Sequence, residues 1–365
     1  MVCYAIMAIL GKKIAQMIMI GIGGCELTPE EKELIHAYPF GGYILFSRNC
    51  REPLQILSLC RSLWNRAGSS PPFIGIDQEG GRVHRLPPPF THFPAAHRIG
   101  ARDDPDVAYQ AARASAMELA LVGINLNFAP VLDIDSDSKN PIIGDRAFGS
   151  DTDRVIKIGM ASTRGLRAGG IIPCAKHFPG HGATDQDSHI GLPVADRSSE
   201  ALRQREILPF AHACRQHIES LMTAHVVYRS LDPDFPATLS SKIIGGLLRS
   251  ELRYDGVVFG DDLEMKAVSD FCGEEEGFSL AVGAGLDMLM FCQDQARAVR
   301  ACESLHREAE RDSRMRARVE ESCARITKLK KRWLKIFCGV STRKVTHRLA
   351  TFDHHKIVAE IQGSL

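Results

Sequence analysis

The chain has no run approaching the roughly 18 consecutive apolar residues that a membrane-crossing helix needs, so no membrane partner is expected. It has no excess of either charge: 45 Lys and Arg face 44 Asp and Glu, for a formal net charge of +1. That balance gives no electrostatic reason to expect a nucleic-acid partner or an anionic surface. No two cysteines stand at CxxC spacing, which argues against a zinc ribbon or a thioredoxin-type motif. The eleven that are present are odd in number and dispersed, a pattern that fits free thiols in a reducing cytoplasm better than a disulfide framework. The opening MVCYAIMAILGKK has a short apolar run with no basic residue ahead of it, and a first helix is expected there rather than a signal peptide. Internal repeats and low-complexity linkers are missing too. A phosphate-binding glycine loop is also lacking, because GIGG at 21–24 is too weak a version of one.

What the chain does have is a succession of short apolar runs: MIMIGI (17–22), GGYILF (41–46), PFIGID (72–77), INLNFAPVLDI (124–134), GIIPCAKHF (170–178), SLMTAHVV (220–227), DGVVFGDDL (255–263) and GLDMLMF (285–291). Their cores are nearly continuous in apolar residues rather than alternating, as in parallel strands buried on both faces. Between them lie segments such as DPDVAYQAARASAMELALVG, apolar at three- and four-residue spacing and so helical. Eight strands alternating with helices predict an α/β fold, a (β/α)8 TIM-type barrel, rather than an open doubly wound sheet. We expect one catalytic domain over 1–335 and a C-terminal helical extension over 336–365. The charged stretch from about 305 to 335 reads as one helix, with Lys328, Lys330, Lys331 and Arg332 as a solvated face near its end.

Barrels place their chemistry at the C-terminal ends of strands. Here those ends carry Asp77, then Asp133 and Asp135, then Lys176 and His177, then His225, then Asp261 and Asp262. A single such carboxylate can equally cap the next helix. Five polar strand ends together predict a polar pocket at one mouth of the barrel, suited to hydroxyl groups and with few aromatics around it.

The densest of these segments, KHFPGHGATDQDSH (176–189), holds three histidines. Three readings stay open on the residues alone. His177, His181 and His189 could meet at one metal ion, although Pro179, Gly180 and Gly182 exclude the helix of an HExxH site. The histidines could simply satisfy loop carbonyls. Or the loop could carry an acid/base, with Gly180 and Gly182 giving flexibility and Asp187 holding the tautomer of His189.

KHFPGHGATDQDSH, GIDQEGGRVHRL, NFAPVLDI, MTAHVVY followed by PATLS, and FGDDLEM together resemble glycoside hydrolase family 3, in particular its single-domain bacterial β-N-acetylglucosaminidases. The likeness runs from about residue 11 to about residue 300 in the family's order. It implies a nucleophile at Asp261, the first aspartate of GDDLEM, and an acid/base at His189 with Asp187 as its partner, where most glycosidases use a second carboxylate. It further implies that Asp77, Arg85, Arg146, Lys176 and His177 hold the sugar, and leaves His181 to loop structure. The implied reaction is a retaining double displacement on a non-reducing terminal β-linked N-acetylglucosamine, in cell-wall fragments recycled in the cytoplasm. No metal or other cofactor, no nucleic acid and no membrane is expected, and the protein is expected to be a monomer. Two alternatives remain: a related β-glycoside phosphorylase, and a metal-dependent barrel hydrolase using the same histidines.

Overall fold

The computed structural model describes residues 9–67, 70–136, 140, 142–182, 184 and 191–363. Eight strands close into a parallel barrel: β1 Ile18–Gly21, β2 Gly42–Leu45, β3 Phe73–Ile76, β4 Leu126–Asn127, β5 Ile172–Phe178, β7 Ser220–Thr223, β9 Val257–Asp262 and β10 Met288–Phe291. β10 pairs back onto β1, with Ile18 opposite Leu289. Two further short strands, β6 Val194–Ala195 and β8 Val227–Tyr228, form a parallel pair outside the barrel. Every apolar run expected to be a strand contributes one barrel strand. Their side chains are buried throughout β1, β2, β3, β5, β7 and β10, as double-sided covering requires.

The run 124–134 yields only a two-residue strand, because Pro130 has no N–H to give a ladder. The chain beyond it turns irregularly toward the barrel mouth, and Leu132 N donates to the carbonyl of Lys176. The long charged segment is likewise two helices, Gln295–Arg311 and Ser313–Trp333. Asp312 breaks it by accepting from Arg314 N as the cap of the second helix. Lys330 is not on a solvated face. It is buried at the barrel floor, where Nζ donates to Gln16 Oε1 (2.8 Å) and lies 5.0 Å from the centre of the Phe73 ring.

Two short helices follow, Thr342–Arg348 and Phe352–Gln362. Val345 and Leu349 are buried in the main core, and Ile361 joins a second apolar cluster with Phe93, Ile99 and Ala111 beneath helix Pro105–Leu121.

Candidate active site

The C-terminal ends of the barrel strands surround a cleft of about 470 Å3. Asp77, Arg85, Arg146, Lys176, His177 and Asp261, six residues singled out from the sequence, all line it. Asp187 and His189 lie outside the described residues.

On one wall four charges interlock. Lys176, on β5, donates to Asp77 Oδ1 at 2.6 Å and reaches Glu79 Oε1 at 2.7 Å. Arg146 grips Glu79 with two parallel bonds, Nε to Oε2 at 2.9 Å and Nη2 to Oε1 at 2.8 Å. Two carboxylates thus face two cations, and the side chains of Lys176 and Glu79 are only 3% and 5% exposed. Burial pushes the Glu79 carboxyl up, but Lys176 and Arg146 outweigh it and hold the group far below the usual carboxylate range. Burial likewise opposes the charge on Lys176, and Asp77 and Glu79 restore it, leaving its pKa above the ordinary value.

Asp133, fully buried, organises the next part of the wall. It accepts from the His177 backbone N–H (3.1 Å), from His177 Nδ1 (2.7 Å) and from the His181 backbone N–H (2.7 Å). Its pKa stays low although burial opposes that, chiefly because of the adjacent His177 ring, with the His181 backbone N–H as a further donor. Since Nδ1 of His177 is committed to Asp133, Nε2 is the ring atom left for a ligand. His181 is equally buried; its Nδ1 faces Thr184 Oγ1 at 2.9 Å, and its Nε2 has no hydrogen-bond partner among the described residues. Burial and the neighbouring His177 push its pKa down to about 4, so the ring is neutral at physiological pH.

Two glycines of this segment sit where the backbone packs closely. A Cβ on Gly182 would stand 1.7 Å from the carbonyl oxygen of Ile134, and Gly180 has a φ of +131° against the backbone of Glu206.

Asp261 stands one residue before the end of β9, across the cleft, where the Asp262 N–H donates to its Oδ1 at 2.8 Å. Burial pushes its pKa up. The positive potential of His225, His177 and Lys176, with the Asp262 N–H, instead holds its pKa below the usual value. Its neighbour behaves oppositely. Burial, with Glu264 and Asp261 nearby, pushes Asp262 up to about 7, while its Oδ1 accepts from Glu264 N. His225 Nε2 donates to the Asp262 carbonyl at 2.9 Å and Nδ1 meets Thr238 Oγ1 at 2.7 Å, fixing the turn that presents both aspartates.

Arg85 differs from the other cations. Its backbone N–H donates to Gln78 Oε1, but its buried Nε has no partner among the described residues. Among those residues, no three His, Cys, Asp or Glu side chains are grouped so as to hold a metal ion.

Glu79 and Asp133 were not among the expected sugar-binding or catalytic residues. Glu79 stands two residues after Asp77 in DQEGG, a spacing that returns a side chain to the same face of an extended segment. Asp133 ends an apolar run, as the other site residues do.

The profile of the glycosyl hydrolase family 3 N-terminal domain matches residues 9–329. The chain belongs to glycoside hydrolase family 3. Over 293 residues it is 38% identical to a β-hexosaminidase of Pseudomonas aeruginosa, covering 80% of this chain and 86% of that protein. Among solved structures, a family 3 β-N-acetylglucosaminidase from Paenibacillus sp. FPU-7 superposes with a TM-score of 0.91 at 38% identity, over 97% of this chain and 68% of that one. NagZ from Neisseria gonorrhoeae, solved with N-trifluoroacetyl-D-glucosamine, gives 0.78 at 30% identity, over 95% and 97%. The family 3 match ends before the helices Thr342–Arg348 and Phe352–Gln362.

Proposed function

We propose that this family 3 chain is a retaining exo-β-N-acetylglucosaminidase that removes a non-reducing terminal N-acetylglucosamine. The observation that carries this reading is a partly buried Asp261 with a lowered pKa facing a walled, charge-lined cleft, in a chain whose relatives are β-hexosaminidases and N-acetylglucosaminidases.

Asp261 attacks the anomeric carbon while His189, as imidazolium with Asp187 behind it, protonates the departing oxygen. A covalent glycosyl–Asp261 ester results. Water then gives its proton to the neutral His189 and displaces the ester, returning both groups to their starting states. The sugar lies against the Asp77–Lys176–Glu79–Arg146 wall, with His177 Nε2 and Arg85 completing its hydrogen bonds. No step needs a cofactor.

The natural substrates we propose are peptidoglycan fragments recycled in the cytoplasm, acted on by a monomer. The ten cysteines among the described residues are all unpaired thiols, which supports a reducing compartment. The domain division we propose is a catalytic barrel over 1–335 with an appended segment over 336–365.

The test is hydrolysis of aryl β-N-acetylglucosaminides, with the first product followed by NMR. Release of the β-anomer supports retention through Asp261. Release of the α-anomer, or no turnover of the N-acetylated sugar while the glucoside is cleaved, would sink the reading.

A further inference from the structure

Helix Pro105–Leu121 carries a carboxylate, Glu118, that is 2% exposed and has no part in the cleft. It accepts hydrogen bonds from three places. The Thr91 backbone N–H and hydroxyl bind it at 2.8 and 2.6 Å, the Ala350 N–H at 2.9 Å, and His354 Nδ1 at 2.7 Å. Burial opposes ionisation of Glu118, yet the bonds from His354, Thr91 and Ala350 keep its pKa below the ordinary value. A buried anion held this way links the segments that donate to it, because freeing any one of them leaves charge without partners.

The linked segments are far apart in sequence and unequal in role. Ala350 and His354 belong to the C-terminal tail, beyond the residues that match family 3. Thr91 belongs to the loop that leaves β3 and carries Asp77, Glu79 and Arg85. A chain of contacts continues from Thr91 to the cleft. Phe93, whose ring centre is 6.4 Å from that of His354, accepts from Gly81 N. His92 donates from Nε2 to the Gly81 carbonyl at 2.8 Å and stacks on His84, with ring centres 4.1 Å apart. His84 Nδ1 accepts from Gln78 Nε2, and Gln78 Oε1 accepts from the Arg85 N–H. Burial and His92 push the His84 pKa down to about 4, in keeping with a neutral ring that accepts at Nδ1.

We infer that the tail segment 349–354 is a clamp on the substrate-binding loop, with His354 and Glu118 as positioning residues that hold Arg85 and the Asp77–Glu79 edge in their binding geometry. The inference rests on the cleft being the sugar site; the clamp itself does not depend on which glycoside is cleaved. Neither residue touches substrate, so the expected defect lies in binding rather than in the bond-breaking step.

The test uses the full chain with His354→Ala, His354→Gln, Thr91→Val, the double variant His354→Ala/Thr91→Val, and Lys356→Ala on the exposed side of the same helix as control. Two readouts are taken at 25 °C: KM and kcat on an aryl β-N-acetylglucosaminide, and amide hydrogen exchange over 78–93. His354→Ala and Thr91→Val should each raise KM about three- to tenfold, the equivalent of one ordinary hydrogen bond, with kcat within about twofold. Both should speed exchange in 78–93. The double variant should be no worse than the poorer single one, since both act through Glu118. His354→Gln, which keeps a donor, should recover most of the KM, and Lys356→Ala should match wild type.

A lower melting temperature in His354→Ala with unchanged KM and unchanged exchange over 78–93 would reduce the tail to a stabilising appendage and overturn the inference. If His354→Ala does not fold, Thr91→Val decides alone: faster exchange in both 78–93 and 350–354 supports the clamp, and no change in either refutes it. Wild-type protein that does not cleave the substrate refutes the proposed activity, and the exchange readout still decides the clamp.

Discussion

Glu79→Gln removes the carboxylate that both Lys176 and Arg146 engage, while changing little in volume. The wall of Asp77, Glu79, Lys176 and Arg146 is neutral as a group; the substitution leaves one positive charge without a counterpart in a buried setting. Breaking a buried ion pair from one side costs about 3–5 kcal/mol. Coulomb's law gives a similar figure, since unit charges about 4 Å apart at an effective dielectric near 20 attract by about 4 kcal/mol. With an unfolding entropy of about 2.1 cal/mol/K per residue, 365 residues give roughly 0.8 kcal/mol/K, so Tm should fall by about 4–7 °C at pH 7. Glu79 has its pKa depressed on folding, so its contribution is complete above the unfolded value of about 4.3 and is lost as pH falls toward the folded one. The gap between wild type and variant should therefore be constant from pH 6 to 8 and narrow below about pH 4. Displacement of Lys176 and Arg146 should lower kcat/KM about a hundredfold, as ångström-scale misplacement of binding groups does. Calorimetric melts across that pH range and steady-state kinetics check these outcomes. Equal melting temperatures at pH 7, or a gap that widens in acid, would refute the coupling of these four charges.

Asp261→Ala should lower kcat at least about a thousandfold, whereas Asp262→Asn should stay within about tenfold of wild type, which separates nucleophile from neighbour in one assay. Because the Asp262 pKa is raised to about 7, its contribution to stability declines as pH rises from about 4 to 7; Asp262→Asn should flatten that slope and melt higher than wild type at pH 8. Asp133→Asn weakens charge-assisted bonds to His177 and His181, so a stability loss of about 1.5–3 kcal/mol is expected in denaturant titration, with a raised KM from a misdirected His177. His189→Ala should lose most activity on substrates with poor leaving groups and least on dinitrophenyl glycosides, since protonation matters less there; equal losses on both would exclude His189 as the acid.

The barrel was readable because strands covered on both faces must be apolar along their whole length, and eight such runs stand out along the chain. Asp77, Lys176, His177 and Asp261 were readable because each interrupts or ends such a run. Asp133 stood out in the same way as a polar strand end, but its role escaped, as Glu79 did altogether. Their importance comes from Lys176, Arg146 and His177, partners between 44 and 97 residues away, and no local pattern encodes that pairing. Lys330 shows the reverse error: a lysine among lysines at a helix end looks solvated until the helix is seen to cross the barrel floor. Asp187 and His189 rest on the family resemblance, because an aspartate two residues before a histidine is too common to specify a role alone.

The cleft's charges have a kinetic consequence beyond stability. Five carboxyl groups, Asp77, Glu79, Asp261, Glu264 and the partly ionised Asp262, line it together with four cations, Arg85, Arg146, Lys176 and Lys266. Opposed charges so close together cancel at a distance, and the whole chain is itself nearly neutral. An uncharged aryl N-acetylglucosaminide therefore approaches with little long-range field to draw it in or turn it away, and ions in solution have little to screen. Capture of substrate should proceed at nearly the same rate in dilute buffer and in physiological salt, leaving recognition to the short-range fit inside the cleft.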